Sequence, residues 1–130
     1  MGLRWYTTVV DSHDVATLGH WWAETLGWLV AVETDTEVIL VPPHAFDQSR
    51  SIPLDEHGPG LAFVSVSDDR AGKNRLHIDL APAPGDDQAA LVDGLIGRGA
   101  TLADVGQGNV AWTVLRDPEG NEFCVLTPRA

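Results

Sequence analysis

One cysteine, Cys124, is all the thiol this chain of 130 residues possesses, so no disulfide can form within it. That count suits a reducing compartment, and a cytoplasmic location is the expectation. Basic residues are scarce as well: 8 Lys and Arg face 19 Asp and Glu, for a formal charge of −11. A field of that sign repels phosphate backbones and anionic lipid headgroups, which argues against nucleic acid and membrane surfaces as partners. Its positive counterpart, attraction to a cationic ligand, competes with plain solubility as the reason for the acidity. Low-complexity tracts are missing too. The opening segment MGLRWYTTVVDSHD contains no basic leader and no apolar stretch of signal length, and Tyr6 stands where N-myristoylation asks for Ser or Thr. Neither a secretion signal nor a lipid anchor is therefore expected.

What is present is a hydrophobic share of 44%, enough for one compact domain with a real core. The segment RWYTTVV reads as a strand, and Val15, Leu18, Trp22 and Leu26 then recur on one helical face. Asp14 is placed to cap that helix and Gly27 to end it. Two β-rich segments, WLVAVET and EVILVPP, follow. A loop from about residue 43 to 60, with Pro43, Pro53 and Pro59, is long enough to be either a lid or a solvated insertion, and the apolar run LAFVSV comes after it. The second half repeats this order. RLHIDLA opens it, and a helix from about Asp86 carries Leu91, Val92, Leu95 and Ile96 and closes at Gly99. Short strands near TLADV, NVAWTVL and NEFCVLTP complete it. The pairs Gly27-Trp28 and Gly99-Ala100 end the helices at matching places. The predicted fold class is α+β: two tandem βαβββ units, about residues 3–67 and 74–128, packed as a single domain over 1–130.

Alternation along RLHIDL puts Leu76, Ile78 and Leu80 on one face and Arg75, His77 and Asp79 on the other. The first set should pack under the helix. The second faces solvent or a cleft, where it either binds a ligand, moves a proton or holds a metal, or simply forms a solvated face with an Arg-Asp pair. In the final strand Phe123 and Val125 oppose Glu122, Cys124 and Leu126. The turn before it, DPEG, has Asp, Pro and Gly where a type I turn prefers them, so these residues need no catalytic role. Trp21 and Trp22 fit helix-to-sheet anchors, and His20 beside them a partly exposed surface residue. Trp5 and Trp112 lie on strands, divided between core and cavity as places for their rings. Lys73, Asn74 and Arg75 read as a polar turn rather than an anion clamp.

Taken together, the paired units, WWAETLGW after the first strand, NRLHIDL opening the second unit and RDPEGNEFCVL closing it resemble the vicinal oxygen chelate superfamily, which includes glyoxalases, bleomycin-resistance proteins and extradiol dioxygenases. The closest likeness is to its small glyoxalase-like domain branch, common in actinobacteria. The resemblance covers nearly the whole chain. It implies half-barrels that cup a cavity with one sheet face, and metal ligands, where present, on the first and last strands of each unit. It also implies a homodimer.

Against that pattern, His77 matches a ligand position, but Cys124 stands where a glutamate is usual, four residues after the turn glycine. Glu122 comes two residues early, about 7 Å along a strand. In the first unit Trp5, Tyr6 or Thr7 falls near the ligand position, none of them a good ligand for a divalent ion, and LAFVSV has no Asp, Glu, His or Cys. The expectation is therefore a cavity without an obligatory metal or other cofactor, binding a small cationic or aromatic molecule, with Trp5, Thr7, Arg75, Asp79, Trp112 and Cys124 as ligand-binding candidates. A divalent ion, if held, would take His77 and Glu122, helped by Asp79 or the loop histidines His44 and His57. Cys124 as a thiolate ligand beside His77 is the other option, against a small buried hydrophobe. The rival is a lyase, isomerase or dioxygenase in which His77 and Glu122 are the catalytic pair. A scaffold or partner-binding module is a third. Chemistry on a glutathione adduct is not expected, because the usual ligand set is incomplete.

Overall fold

A computed structural model describes every residue except Met1, Gln48, Arg50, Leu54, Asp55, Arg70 and Ala130. The chain divides into two compact units, Met1–Asp68 and Asp69–Ala130.

In unit 1 the order is β1 (Thr7–Ser12), α1 (Val15–Leu26), β2 (Leu29–Glu33), β3 (Glu37–Val41), a 3-10 turn (Pro43–Phe46) and β4 (Gly60–Ser65). The helix begins where Asp14 accepts hydrogen bonds from the Thr17 amide at 3.1 Å and the Thr17 hydroxyl at 2.8 Å. It stops at Gly27, whose φ of 67° is a left-handed conformation that favours glycine. The sheet runs β1-β4-β3-β2, with β1 parallel to β4 and the other pairs antiparallel. Alternation then separates two faces. Val38, Leu40, Leu61 and Phe63 turn to the helix and are buried, together with Leu18 and Trp22. Trp21 and Trp22 meet edge to face, with ring centroids 5.1 Å apart. Gly19 lets α1 approach β3 so closely that a Cβ there would stand 2.6 Å from Val38 Cγ1. Exposed His20, as the sequence suggests, lies on the outer side and bonds Glu33 at 2.8 Å.

Unit 2 repeats the plan with β5 (Ile78–Leu80), α2 (Gln88–Gly97), β6 (Thr101–Leu102), β7 (Thr113–Arg116) and β8 (Glu122–Val125). Its order is β5-β8-β7-β6, and the first and last strands are again parallel. Asp87, one residue after the expected start, caps α2 through the Ala90 amide. Gln88 Nε2 donates to the Val125 carbonyl at 3.0 Å and so ties the helix start to β8. Leu115, Phe123 and Val125 form one buried set, while Ala103, Val114 and Cys124, joined by Leu126, form another. The DPEG turn is as drawn from the sequence: the Gly120 amide donates to the Asp117 carbonyl at 2.9 Å. Buried Asp117 also accepts from the amides of Glu119 and Asn121.

One expectation is corrected. Leu76 does not pack under the helix but is 84% of its reference area exposed. Ile78 is the first residue of β5 to pair, opposite Phe123, and β8 itself starts only at Glu122. Upstream of Ile78 there is no long partner strand to hold the alternation that the sequence suggests.

The two helices generate opposite predictions for the same substitution. Gly19→Ala should destabilise by about 1–3 kcal/mol through overpacking against Val38, outweighing the ~1 kcal/mol that helix propensity supplies. Gly94→Ala, where a Cβ meets nothing within 4 Å, should stabilise by about 1 kcal/mol. Urea unfolding of both variants checks this, and stabilisation by both would contradict the close approach of α1 to β3.

Candidate functional site

Each sheet has a second face that does not carry the buried helix-side set, and the candidate chemistry lies there. In unit 2 the parallel register sets Asp79 directly beside Cys124, which faces Val114 on its other side. His77, two residues before Asp79, projects to the same side, and its Nε2 lies 3.2 Å from Asp79 Oδ1. One ligand atom from each of His77, Asp79 and Cys124 falls within 4.8 Å of the other two. His77 and Asp79 are about half exposed, whereas Cys124 is 8% exposed and packed among Ala103, Val114 and Leu126. Burial is the main cause that pushes the Cys124 thiol above its usual range, and the charge and hydrogen bond of Asp79 push the same way.

Glu122 sits one row along and belongs to a different group. Its carboxylate lies 3.5 Å from Lys73 Nζ and 4.0 Å from Arg116, which is its cross-strand partner, and its side chain is only 11% exposed. Asn74 Nδ2 reaches Asn121 Oδ1 at 3.3 Å, so the segment read as a polar turn closes against the start of β8. Arg75 is exposed, and so is Trp112 just before β7. Pairing of Lys73 with Glu122 joins residues 49 positions apart, and no local pattern announces it.

On the open face of unit 1 lies a cavity of about 200 Å³, lined by Thr7, Ile39, Val41 and Ala62 together with Arg4 and Tyr6. The Arg4 guanidinium stands 5.2 Å over the Tyr6 ring. Of the ligand-binding candidates, Thr7 lies on the cavity wall, and Trp5, 69% exposed, is not among its lining residues. The long loop supplies the rest of the wall through Ala45, His57 and Gly58. Two ring donors brace it: His44 Nε2 bonds the His57 carbonyl at 3.0 Å and His57 Nε2 the Ile52 carbonyl at 2.9 Å. Of this loop, residues 48, 50, 54 and 55 lie outside the description.

Thr7 on β1 and a β4 without Asp, Glu, His or Cys leave no group of three such donors together in unit 1 among the described residues. Among the described residues, the group of His, Cys, Asp and Glu able to surround an ion is His77, Asp79 and Cys124. Thiolate, imidazole and carboxylate together suit a thiophilic divalent ion such as zinc and poorly suit magnesium or calcium.

The raised thiol has a measurable consequence. Alkylation of Cys124 in the presence of a chelator should accelerate only above the pH at which free cysteine does. Asp79→Asn should shift that rise to lower pH without bringing it to the free-cysteine position, because burial remains. A wild-type profile that coincides with free cysteine would contradict the assignment.

Comparison with known proteins gives one family. The family model described as glyoxalase-like domain matches residues 7–126. A glyoxalase/bleomycin resistance protein/dioxygenase family enzyme from Burkholderia phytofirmans PsJN is similar in structure, with a TM-score of 0.71 at 14% identity, over 98% of this chain and 100% of that one. A glyoxalase/bleomycin resistance protein from Albidiferax ferrireducens T118 aligns with a TM-score of 0.61 at 17% identity, over 96% and 98% of the two chains. A possible glyoxalase from Bacillus cereus gives 0.65 at 10% identity, over 96% and 99%. No curated protein matches by sequence. Two βαβββ units with parallel first and last strands, and a family match across nearly all of the chain, lead to one conclusion: this chain belongs to the glyoxalase-like domain family of the vicinal oxygen chelate superfamily.

Proposed function

We propose that the protein binds a small aromatic molecule in the unit 1 cavity, in a binding or sequestering role that needs no metal at that place. The observation that carries this is the cavity wall itself: apolar Ile39, Val41 and Ala62, with Thr7 as a polar group and Arg4 as a charged one. At about 200 Å³ the space is smaller than the ~300–1,000 Å³ of drug-sized sites, which limits the guest to about a single ring. Of the two guest classes expected from the sequence, the wall favours the aromatic over the cationic. Its fixed charge, Arg4, is positive despite the acidity of the chain as a whole, so a ring bearing a carboxylate is the best match.

Calorimetric titration with benzoate, benzyl alcohol and benzylammonium tests the charge preference. The acid should bind best and the cation worst. Ala62→Phe should weaken all binding by filling the floor, and Arg4→Ala should reduce the preference for the acid by about tenfold, ~1.4 kcal/mol. Strongest binding by the cation, or none by any ring at millimolar concentration, would overturn the proposal.

A catalytic reading of the lyase, isomerase or dioxygenase kind is favoured by one contact, the 3.2 Å approach of His77 to Asp79. In that case the acid and base pair is His77 with Asp79 rather than with Glu122, whose carboxylate is already engaged by Lys73 and Arg116. Full turnover by His77→Ala on any substrate found for the protein would remove this reading. Pairing of two copies is supported by exposed Trp5, Tyr6 and Val9 on and beside β1, an edge strand. Light scattering should then return twice the 14.0 kDa chain mass, and the single-chain mass at micromolar concentration would rule pairing out.

A further inference from the structure

We infer that His57 gives the unit 1 cavity a second point of recognition, an imidazole Nδ1 that accepts a hydrogen bond, so that the preferred guest is an aromatic acid with a hydroxyl or amine on its ring. This rests on the aromatic acid proposed for that cavity and adds the group that the acid must carry.

Three observations carry it. The first is the tautomer. His57 Nε2 lies 2.9 Å from the Ile52 carbonyl oxygen, which can only accept, so Nε2 holds the ring proton. In the neutral ring the other nitrogen, Nδ1, is then an acceptor. The second is place. His57 lines the cavity, in the same space as Arg4 and Thr7. It is exposed, so a guest meets the ring without displacing core residues. The third is how the ring is held. His44, on the turn Pro43–Phe46, donates from Nε2 to the His57 carbonyl at 3.0 Å, which ties the backbone of His57 to the start of the loop while its ring is tied to Ile52. Gly58, with a φ of 72°, then turns the chain toward β4, where the Gly60 amide donates to the Tyr6 carbonyl at 2.9 Å. An acceptor held at both backbone and ring needs little ordering when a guest arrives.

A neutral imidazole of fixed tautomer rewards a guest that donates. With the carboxylate of the guest on Arg4, a ring O–H or N–H can meet Nδ1, whereas a methyl group of similar size leaves the nitrogen without a partner. The hydroxyls of Thr7 and Tyr6, which line the same cavity, are the rival acceptors, and substitution separates them from His57. The long loop thereby takes part in selecting the guest, a role distinct from the lid or solvated insertion that its length suggests.

Calorimetric titration of the full chain at about pH 8, above the ~6.5 of free imidazole, compares benzoate with the meta and para isomers of hydroxy-, amino- and methylbenzoate. The best donor-bearing isomer should bind about fivefold more tightly than the methyl compound of the same substitution. His57→Phe, which keeps a ring without its nitrogens, should remove that ratio while benzoate still binds. Thr7→Val and Tyr6→Phe should preserve it. His44→Ala loosens the loop and leaves the acceptor, so it should weaken all guests alike with the ratio unchanged. Long-range NMR correlations of the histidine rings should find the His57 proton on Nε2, and the Nδ1 signal should move with the hydroxy compound and not with the methyl one. Circular dichroism checks the fold of each variant, and if His57→Phe unfolds, the Nδ1 signal of the parent decides. A ratio below about twofold while benzoate binds overturns the inference and leaves the aromatic-acid reading standing. So does a ratio that survives in folded His57→Phe or vanishes in Thr7→Val or Tyr6→Phe. Failure of every ring to bind removes both.

Discussion

In each unit the first strand pairs with the last in parallel, β1 with β4 and β5 with β8, and both candidate sites depend on that pairing. A parallel partner cannot be reached through a tight turn, so the chain must travel through a helix and two further strands before it returns. Once it returns, register fixes which side chains are neighbours. Thr7 stands opposite Gly60, and Ile39 opposite Ala62, and all four line the unit 1 cavity; Asp79 stands opposite Cys124, which makes the donor group of unit 2. A slip of one residue would exchange the faces and bury Asp79 where Ile78 now packs.

The same scaffold therefore presents two different chemistries. Unit 1 shows apolar residues with the hydroxyls of Thr7 and Tyr6, the His57 ring and the Arg4 guanidinium, suited to a flat guest. Unit 2 shows a thiol, an imidazole and a carboxylate in one cluster, and an acid between two cations beside it. Gly19 and Asp117 matter to these sites only indirectly. Gly19 lets α1 settle on β3, and Asp117 fixes the turn that starts β8 in register.

Much of this was legible in the chain. Asp14 and Gly27 marked both ends of α1 because capping and left-handed backbone depend on residue type within one turn. DPEG specified its own geometry for the same reason. Alternation assigned Phe123 and Val125 to one side of the final strand and His77 with Asp79 to one face. What stayed hidden depended on partners far along the chain. Leu76 lost its expected burial because β8 begins too late to support it. Glu122 was paired with His77 on type and face alone, whereas Lys73, 49 residues away, and Arg116 decide its surroundings. His44 and His57, considered as metal donors, instead brace the loop through backbone carbonyls. Trp5 suggested a cavity wall by its ring, but neighbouring Tyr6 and Thr7 line the space.

The central claim is that the two open faces are separate in their chemistry, donors on one and apolar walls on the other. Amide NMR spectra of isotope-labelled protein test it most directly when zinc and benzoate are added in turn. Zinc should displace the amide signals around His77, Asp79 and Cys124 and leave Ile39, Gly58 and Ala62 in place, and benzoate should do the reverse. Zinc shifts centred on the loop histidines, or one set of residues moved by both additions, would contradict the account.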